Sequence, residues 1–246
     1  MVINEGADIA MDPLSPRLQA IADLVTVGQS MADIGSDHAR LPLYLLENRL
    51  VPRAVASELG DGPYRRTLAA VRSSNLQDYI EVRKGDGLQT LEAGETDTVV
   101  MAGLGGDSIA AILAHDWNKA GSFRKFIFQP MTRASVLRQT LAERGWPILQ
   151  EILLQDNNRF VVIIVSQPGS TPYRLDPLET EIGCEILKAD NNLKREYLFK
   201  FLEKYTRIYA GLKNSSRQEK QLLANSYRDK LERLELILNA SHRPRY

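Results

Sequence analysis

The chain has 246 residues with 31 basic and 31 acidic side chains, enough for one α/β domain of ordinary size plus an appendage. Its one cysteine, Cys184, excludes an intrachain disulfide, and His38, His115 and His242 lack the spacing of metal ligands. No apolar run approaches the length of a membrane span and no signal-peptide pattern opens the chain, so the expectation is a cytoplasmic protein with no metal and no membrane partner.

The neutral total hides an asymmetry. From Lys188 to Tyr246 there are 14 basic and 7 acidic residues, against 17 and 24 before them. A tail of net +7 beside a body of net −7 suits a polyanion partner, and it equally suits solvated helices rich in Lys and Arg.

In chain order, residues 1–13 show no periodicity, and Met11 offers an alternative start. Ser15-Pro16 is a helix opening, with Leu18, Ile21, Ala22 and Val25 on one apolar face. Ser30–Ile34 reads as a short buried strand. Gly35 then allows a sharp turn and close approach to a ligand, and helical periodicity resumes from about Ala39 to Asn48. Strand, glycine turn and helix start form the nucleotide-binding corner of a doubly wound fold. Asp33 and Asp37 flank the turn, which suits a cationic or hydroxyl-rich ligand better than a diphosphate.

A second strand, Ala54–Leu59, places Glu58 23 residues after Gly35, where such folds carry the acid that binds a ribose. Asp61-Gly62-Pro63 reads as a turn into a helix from Tyr64 to Ser74, with Leu68 and Val71 facing inward. A third strand, Ile80–Lys84, ends in Gly85-Asp86-Gly87. A fourth, Thr98–Met101, runs into Ala102-Gly103-Leu104-Gly105-Gly106, a glycine-rich stretch that implies close approach of backbone to a partner. After another helix comes Lys125–Phe128, ending in Gln129-Pro130-Met131-Thr132, and a helix from about Ala134 to Arg144. Ile148–Leu154 and Arg159–Ser166 are joined by a link short enough for a hairpin.

Alternating strands and helices closed by an antiparallel hairpin predict a class I methyltransferase Rossmann-like sheet of seven strands, the last antiparallel. The Pro/Gly/Ser stretch from Gln167 to Pro172 marks a boundary between a catalytic domain, 14–168, and a C-terminal helical domain, 173–246. In that second part Leu198, Leu202, Tyr205, Tyr209 and Leu212 form a heptad seam, and Leu223, Tyr227, Leu231, Leu234 and Leu238 form another. Ser216-Arg217-Gln218-Glu219 has the form of a capping box opening the second helix. A coiled-coil hairpin follows, preceded by a shorter helix near Glu179–Lys188.

The candidate ligand groups fall at successive carboxyl ends of strands, the edge where open α/β sheets bind ligands. S-adenosylmethionine fits them: Glu58 for the ribose, Asp86 for the adenine amine, and the first turn for the methionine moiety. The cofactor set is Asp33, Gly35, Ser36, Glu58, Leu59, Asp86, Gly87, Ala102 and Gly103. The absence of a Gly-x-x-x-x-Gly-Lys loop speaks against ATP hydrolysis. The same corner admits a nicotinamide-dependent oxidoreductase, against which the closing hairpin argues, and a non-catalytic RNA-binding adaptor.

Met31-Ala-Asp-Ile-Gly-Ser-Asp-His-Ala-x-Leu-Pro42, Asp61-Gly-Pro63, Gly85-Asp-Gly87, Ala102-Gly-Leu-Gly-Gly106 and Gln129-Pro130 together resemble the bacterial tRNA (adenine-N1)-methyltransferase TrmK family, from about Ser15 onward. Ser57 stands where the family pattern has glycine, and Met131 where asparagine is common. The resemblance implies S-adenosylmethionine-dependent methylation of N1 of the adenine at position 22 of tRNA; the expected assembly is a monomer or weak dimer. It implies that Asp37, with His38 beside it, faces the target base, and that Gly105, Gly106, Gln129 and Pro130 contact the substrate. Asp37 as a plain helix cap is the competing reading.

Overall fold

A computed structural model describes residues 13–240; the reading of Met11 as an alternative start lies outside the described residues. Helix α1 (Pro16–Ala22) opens on Ser15, whose hydroxyl accepts from the Leu18 N–H. There follow β1 (Met31–Ile34), α2 (Arg40–Glu47), β2 (Ala54–Glu58), α3 (Asp61–Arg72), β3 (Ile80–Lys84), a 3-10 turn at Gly87–Thr90, β4 (Thr98–Gly105), α4 (Gly106–His115), α5 (Trp117–Ala120) and β5 (Lys125–Thr132). The chain continues with α6 (Ala134–Arg144), β6 (Ile148–Asp156), β7 (Arg159–Ser166), α7 (Pro177–Ile182), α8 (Cys184–Lys188), α9 (Asn192–Leu212) and α10 (Gln218–Ala240).

The strands form one seven-stranded sheet in the order β3-β2-β1-β4-β5-β7-β6. β1 pairs in parallel with β2 and β4, in a register that sets Met31 beside Ala54 and Thr98, and β2 pairs in parallel with β3. β1 and β2 are buried along their whole length, as parallel strands covered on both faces require. β6 and β7 pair antiparallel. Asn157 and Asn158 join them with φ of 49° and 59°, the left-handed pair that a two-residue hairpin demands and asparagine tolerates. The expected methyltransferase-type sheet is therefore the observed one.

The described residues divide into two compact units, 13–103 with Ile112–Phe128, and Leu104–Ala111 with 129–240. In the first, Met31, Ala32, Ile34, Val99, Val100 and Met101 are all buried and form the core around β1. In the second, Arg138 on α6 is wholly buried. Its Nε donates to Glu151 Oε1 at 2.7 Å, and its remaining nitrogens donate to the carbonyls of Thr180, Glu181 and Ile182 at the end of α7. The same Glu151 accepts from the Glu185 N–H at the start of α8. Helices α9 and α10 pack against each other, with Tyr205 fully buried and 5.4 Å from the Tyr227 ring. An aromatic series, Phe160–Tyr197–Phe201–Tyr205, carries that contact back to β7.

Several local expectations are corrected. β4 and β5 continue through Gly105 and Thr132, because sheet pairing carries the backbone past residues of low strand propensity. Asp61-Gly62-Pro63 is the first turn of α3, where proline's missing N–H has no intrahelical acceptor to serve. The inward face of α3 uses Thr67 and Val71, and Leu68 is only half-buried. Gly183, with φ of 114°, splits the expected single helix near Glu179–Lys188 into α7 and α8. α10 opens at Gln218, one residue later than a Ser216 cap implies, and on it Ala224 is buried while Leu223 stays 48% exposed. The four-residue α5 had no counterpart in the sequence reading.

Candidate functional site

β1 ends at Ile34, and Gly35 turns the chain with φ of 77° while its N–H donates to the Ser57 carbonyl at 2.8 Å. Only a residue without a β-carbon takes that conformation without penalty. The turn sets Asp33 inside it, and Ser36 Oγ donates to Asp33 Oδ2 at 2.7 Å. Burial pushes the Asp33 carboxyl up to about 6; the Ser36 bond pulls the other way, the nearby Glu58 charge raises it further and the Arg17 guanidinium lowers it.

Glu58, at the end of β2, is buried, and its Oε1 accepts twice: from the Asp37 N–H at 2.5 Å and from the Thr67 hydroxyl at 3.2 Å. The Thr67 oxygen accepts in turn from the His38 N–H at 3.1 Å. Asp33 Oδ1 and Glu58 Oε2 accept no hydrogen bond from the described residues. Two carboxylate oxygens are thus left open at one strand edge, which fits a ligand that brings hydroxyls and positive charge.

Asp37, His38 and Ala39 have φ of 35°, 69° and 53°. Three successive left-handed residues with side chains cost about 1 kcal/mol or more each. The Asp37 side chain is 68% exposed; its Oδ1 lies 3.3 Å from an Arg66 nitrogen and 3.8 Å from His38 Nε2. Asp37 does not cap α2. The residue before that helix is Ala39, with no side-chain cap bond.

The other expected cofactor residues follow the same edge. Leu59 is exposed beside Glu58. Gly85 N–H donates to the Glu58 carbonyl, and Asp86 precedes the 3-10 turn with an exposed side chain that makes no hydrogen bond among the described residues. Gly87 is buried against Ile112. Ser57 pairs with Thr90, whose hydroxyl donates to Ser57 Oγ at 3.0 Å; a buried serine at this position has its partner. Ala102 is half-buried and Gly103 exposed, with the Arg17 guanidinium 3.7 Å from where a Gly103 β-carbon would stand.

Within the second unit, Gly105 and Gly106 lead into α4 and Gln129-Pro130 lie in β5. A β-carbon on Gly106 would overlap the Arg133 carbonyl, so the start of α4 touches the loop before α6 closely enough to require glycine. Gln129 and Pro130 are buried, Met131 is exposed, and the Gln129 amide lies 3.5 Å from the Met131 sulfur.

Sequence reasoning missed two residues here. Thr67 had a signal, a polar side chain at the buried spacing of a helix nine residues past Glu58. Arg17, in the first turn of α1, had none, because its approach to Asp33 and Gly103 depends on the packing of elements distant in sequence.

The family model described as tRNA (adenine(22)-N(1))-methyltransferase, TrmK, matches residues 31–235. A Bacillus subtilis (strain 168) protein of the name tRNA (adenine(22)-N(1))-methyltransferase is 32% identical over 235 residues, 92% of this chain and 97% of its own length. The crystal structure of the B. subtilis M1A22 tRNA methyltransferase TrmK superposes with a TM-score of 0.83 at 29% identity, covering 92% of this chain and 99% of that one. A Streptococcus pneumoniae structure in complex with S-adenosyl-L-methionine has a TM-score of 0.79 at 27% identity, covering 92% and 100%.

Proposed function

The chain belongs to the tRNA (adenine(22)-N1)-methyltransferase family, and from that premise we propose how its own residues carry out the reaction. The enzyme transfers a methyl group from S-adenosylmethionine to N1 of adenine 22 of tRNA. The cofactor supplies an electrophilic methyl on a sulfonium.

Glu58 Oε2 takes the ribose hydroxyls, and Asp86 the adenine amine, with Leu59 and Gly87 beside the ring. Asp33, Gly35, Ser36, Ala102 and Gly103 hold the methionine end, where the carboxylate of Asp33 meets the positive charges and the Arg17 guanidinium meets the carboxylate. The observation that carries this reading is the pair of open carboxylate oxygens on two buried acids at one sheet edge.

Adenine N1 attacks with a lone pair, so no base is needed to remove a proton from it. The transfer instead builds positive charge on the ring. Asp37, exposed and backed by Arg66 and His38, accepts from the exocyclic amine, orients the base and stabilises that charge. Gly105, Gly106, Gln129 and Pro130 contact the target nucleotide, which must leave its stack at a cost of a few kcal/mol.

The assignment of 14–168 as the methyltransferase domain and 173–246 as a tRNA-holding helical domain is part of the proposal, as are a monomer or weak dimer and a cytoplasmic location. Exposed Lys200, Lys204, Arg207, Lys213, Arg217 and Lys220 on or between α9 and α10 support phosphate contact. No described helix is long and apolar enough to cross a membrane. Labelled methyl transfer to tRNA transcripts with adenine or guanine at position 22 tests the reaction. Asp37→Ala tests the residue: the expected result is a large loss of single-turnover rate at unchanged cofactor affinity, and full rate would refute its role.

A further inference from the structure

The Asp37–Ala39 loop occupies a backbone conformation that side chains other than glycine disfavour over three successive positions, and such a loop persists only where its surroundings hold it. Two backbone N–H groups are held: Asp37 by Glu58 Oε1 and His38 by Thr67 Oγ1. Thr67 also spends its single hydroxyl proton on Glu58 Oε1. One wholly buried hydroxyl on α3 therefore joins the loop to the acid at the end of β2.

Packing alone would not select this residue. Thr67 sits on the inward face of α3 with Val71, where valine has the same shape and no polar atom to satisfy. We propose that Thr67 is a positioning residue for methyl transfer, locking the Asp37–Ala39 loop in its strained form. By fixing Glu58 Oε1 it also leaves Oε2 as the oxygen turned to the cofactor ribose. Cofactor site and base-facing loop are thereby tied through one hydroxyl. This inference rests on the reading of Asp37 as the base-facing carboxylate.

The test uses the full chain with Thr67→Val, Thr67→Ser and Asp37→Ala. Three quantities are read: amide hydrogen exchange at His38, cofactor affinity by calorimetry, and single-turnover methylation at saturating cofactor and tRNA. In Thr67→Val the His38 amide exchanges about tenfold faster and methylation slows about tenfold, the effect of one lost hydrogen bond. Cofactor affinity falls less than the rate does, and Thr67→Ser restores both. Adding Thr67→Val to Asp37→Ala slows the reaction no further.

Unchanged exchange at His38 overturns the proposal, as does a Thr67→Ser variant as slow as Thr67→Val, or a double variant slowed by the full Thr67→Val factor. A wild-type rate in Asp37→Ala refutes the underlying reading of Asp37, while His38 exchange in Thr67→Val still decides whether the lock exists.

Discussion

Asp33→Asn removes a charge that burial makes costly. Burial pushes the Asp33 carboxyl up from an ordinary 3.8 to about 6, with desolvation the largest cause. A difference of about two pKa units, at 1.36 kcal/mol each, corresponds to about 3 kcal/mol. Because the folded value is the higher one, the folded state holds this proton longer than the unfolded chain does. The group costs nothing below about pH 4, and its cost grows as pH rises toward 6 and is complete above it. Asparagine keeps an oxygen for the Ser36 hydroxyl and carries no charge, so its stability lacks this pH dependence. Urea denaturation of ligand-free protein then gives wild type and Asp33→Asn nearly equal stability at pH 4, with the variant ahead by about 3 kcal/mol at pH 7.5. Calorimetry at pH 7.5 gives the same variant weaker S-adenosylmethionine binding, because the positive methionine end loses its counter-charge. A stability difference that is the same at both pH values would refute the assignment of the buried charge to Asp33. With Asp33 in its proposed cofactor-binding role, the buried charge lowers stability and raises affinity.

Arg138→Ala leaves Glu151 buried without its cation and three α7 carbonyls without their donor, so it lowers the unfolding free energy by about 3–5 kcal/mol, read from the denaturation midpoint. Gly106→Ala forces the start of α4 away from the Arg133 carbonyl, which lowers the thermal midpoint and the methylation rate together; a variant with both unchanged contradicts the close approach. Affinity for tRNA falls steeply with salt, and neutralising Arg217 and Lys220 reduces the slope of log K against log salt by about 1 each. Salt-independent binding would remove the basic helices from the tRNA contact.

The amino-acid sequence by itself determined the order and type of nearly every element, because hydrophobic period and turn chemistry are local. The Asn157-Asn158 hairpin, the Ser15 cap and the turn at Gly35 were all readable from the residues in place. It also located the acids at the strand ends, since a parallel α/β sheet brings the carboxyl ends of β1, β2 and β3 to one edge whatever the details of packing. Local composition was misleading where pairing or helix position overrides propensity, as in the glycine-rich end of β4, the Asp61-Gly62-Pro63 turn of α3 and the split at Gly183. Tertiary structure alone decided the rest. The approach of Arg17 to Asp33, the raised Asp33 carboxyl and the sharing of Glu58 Oε1 between Thr67 and the Asp37 backbone arise from contacts between residues distant in sequence. Their energies come from desolvation and hydrogen-bond geometry in a packed interior, which no window of sequence contains.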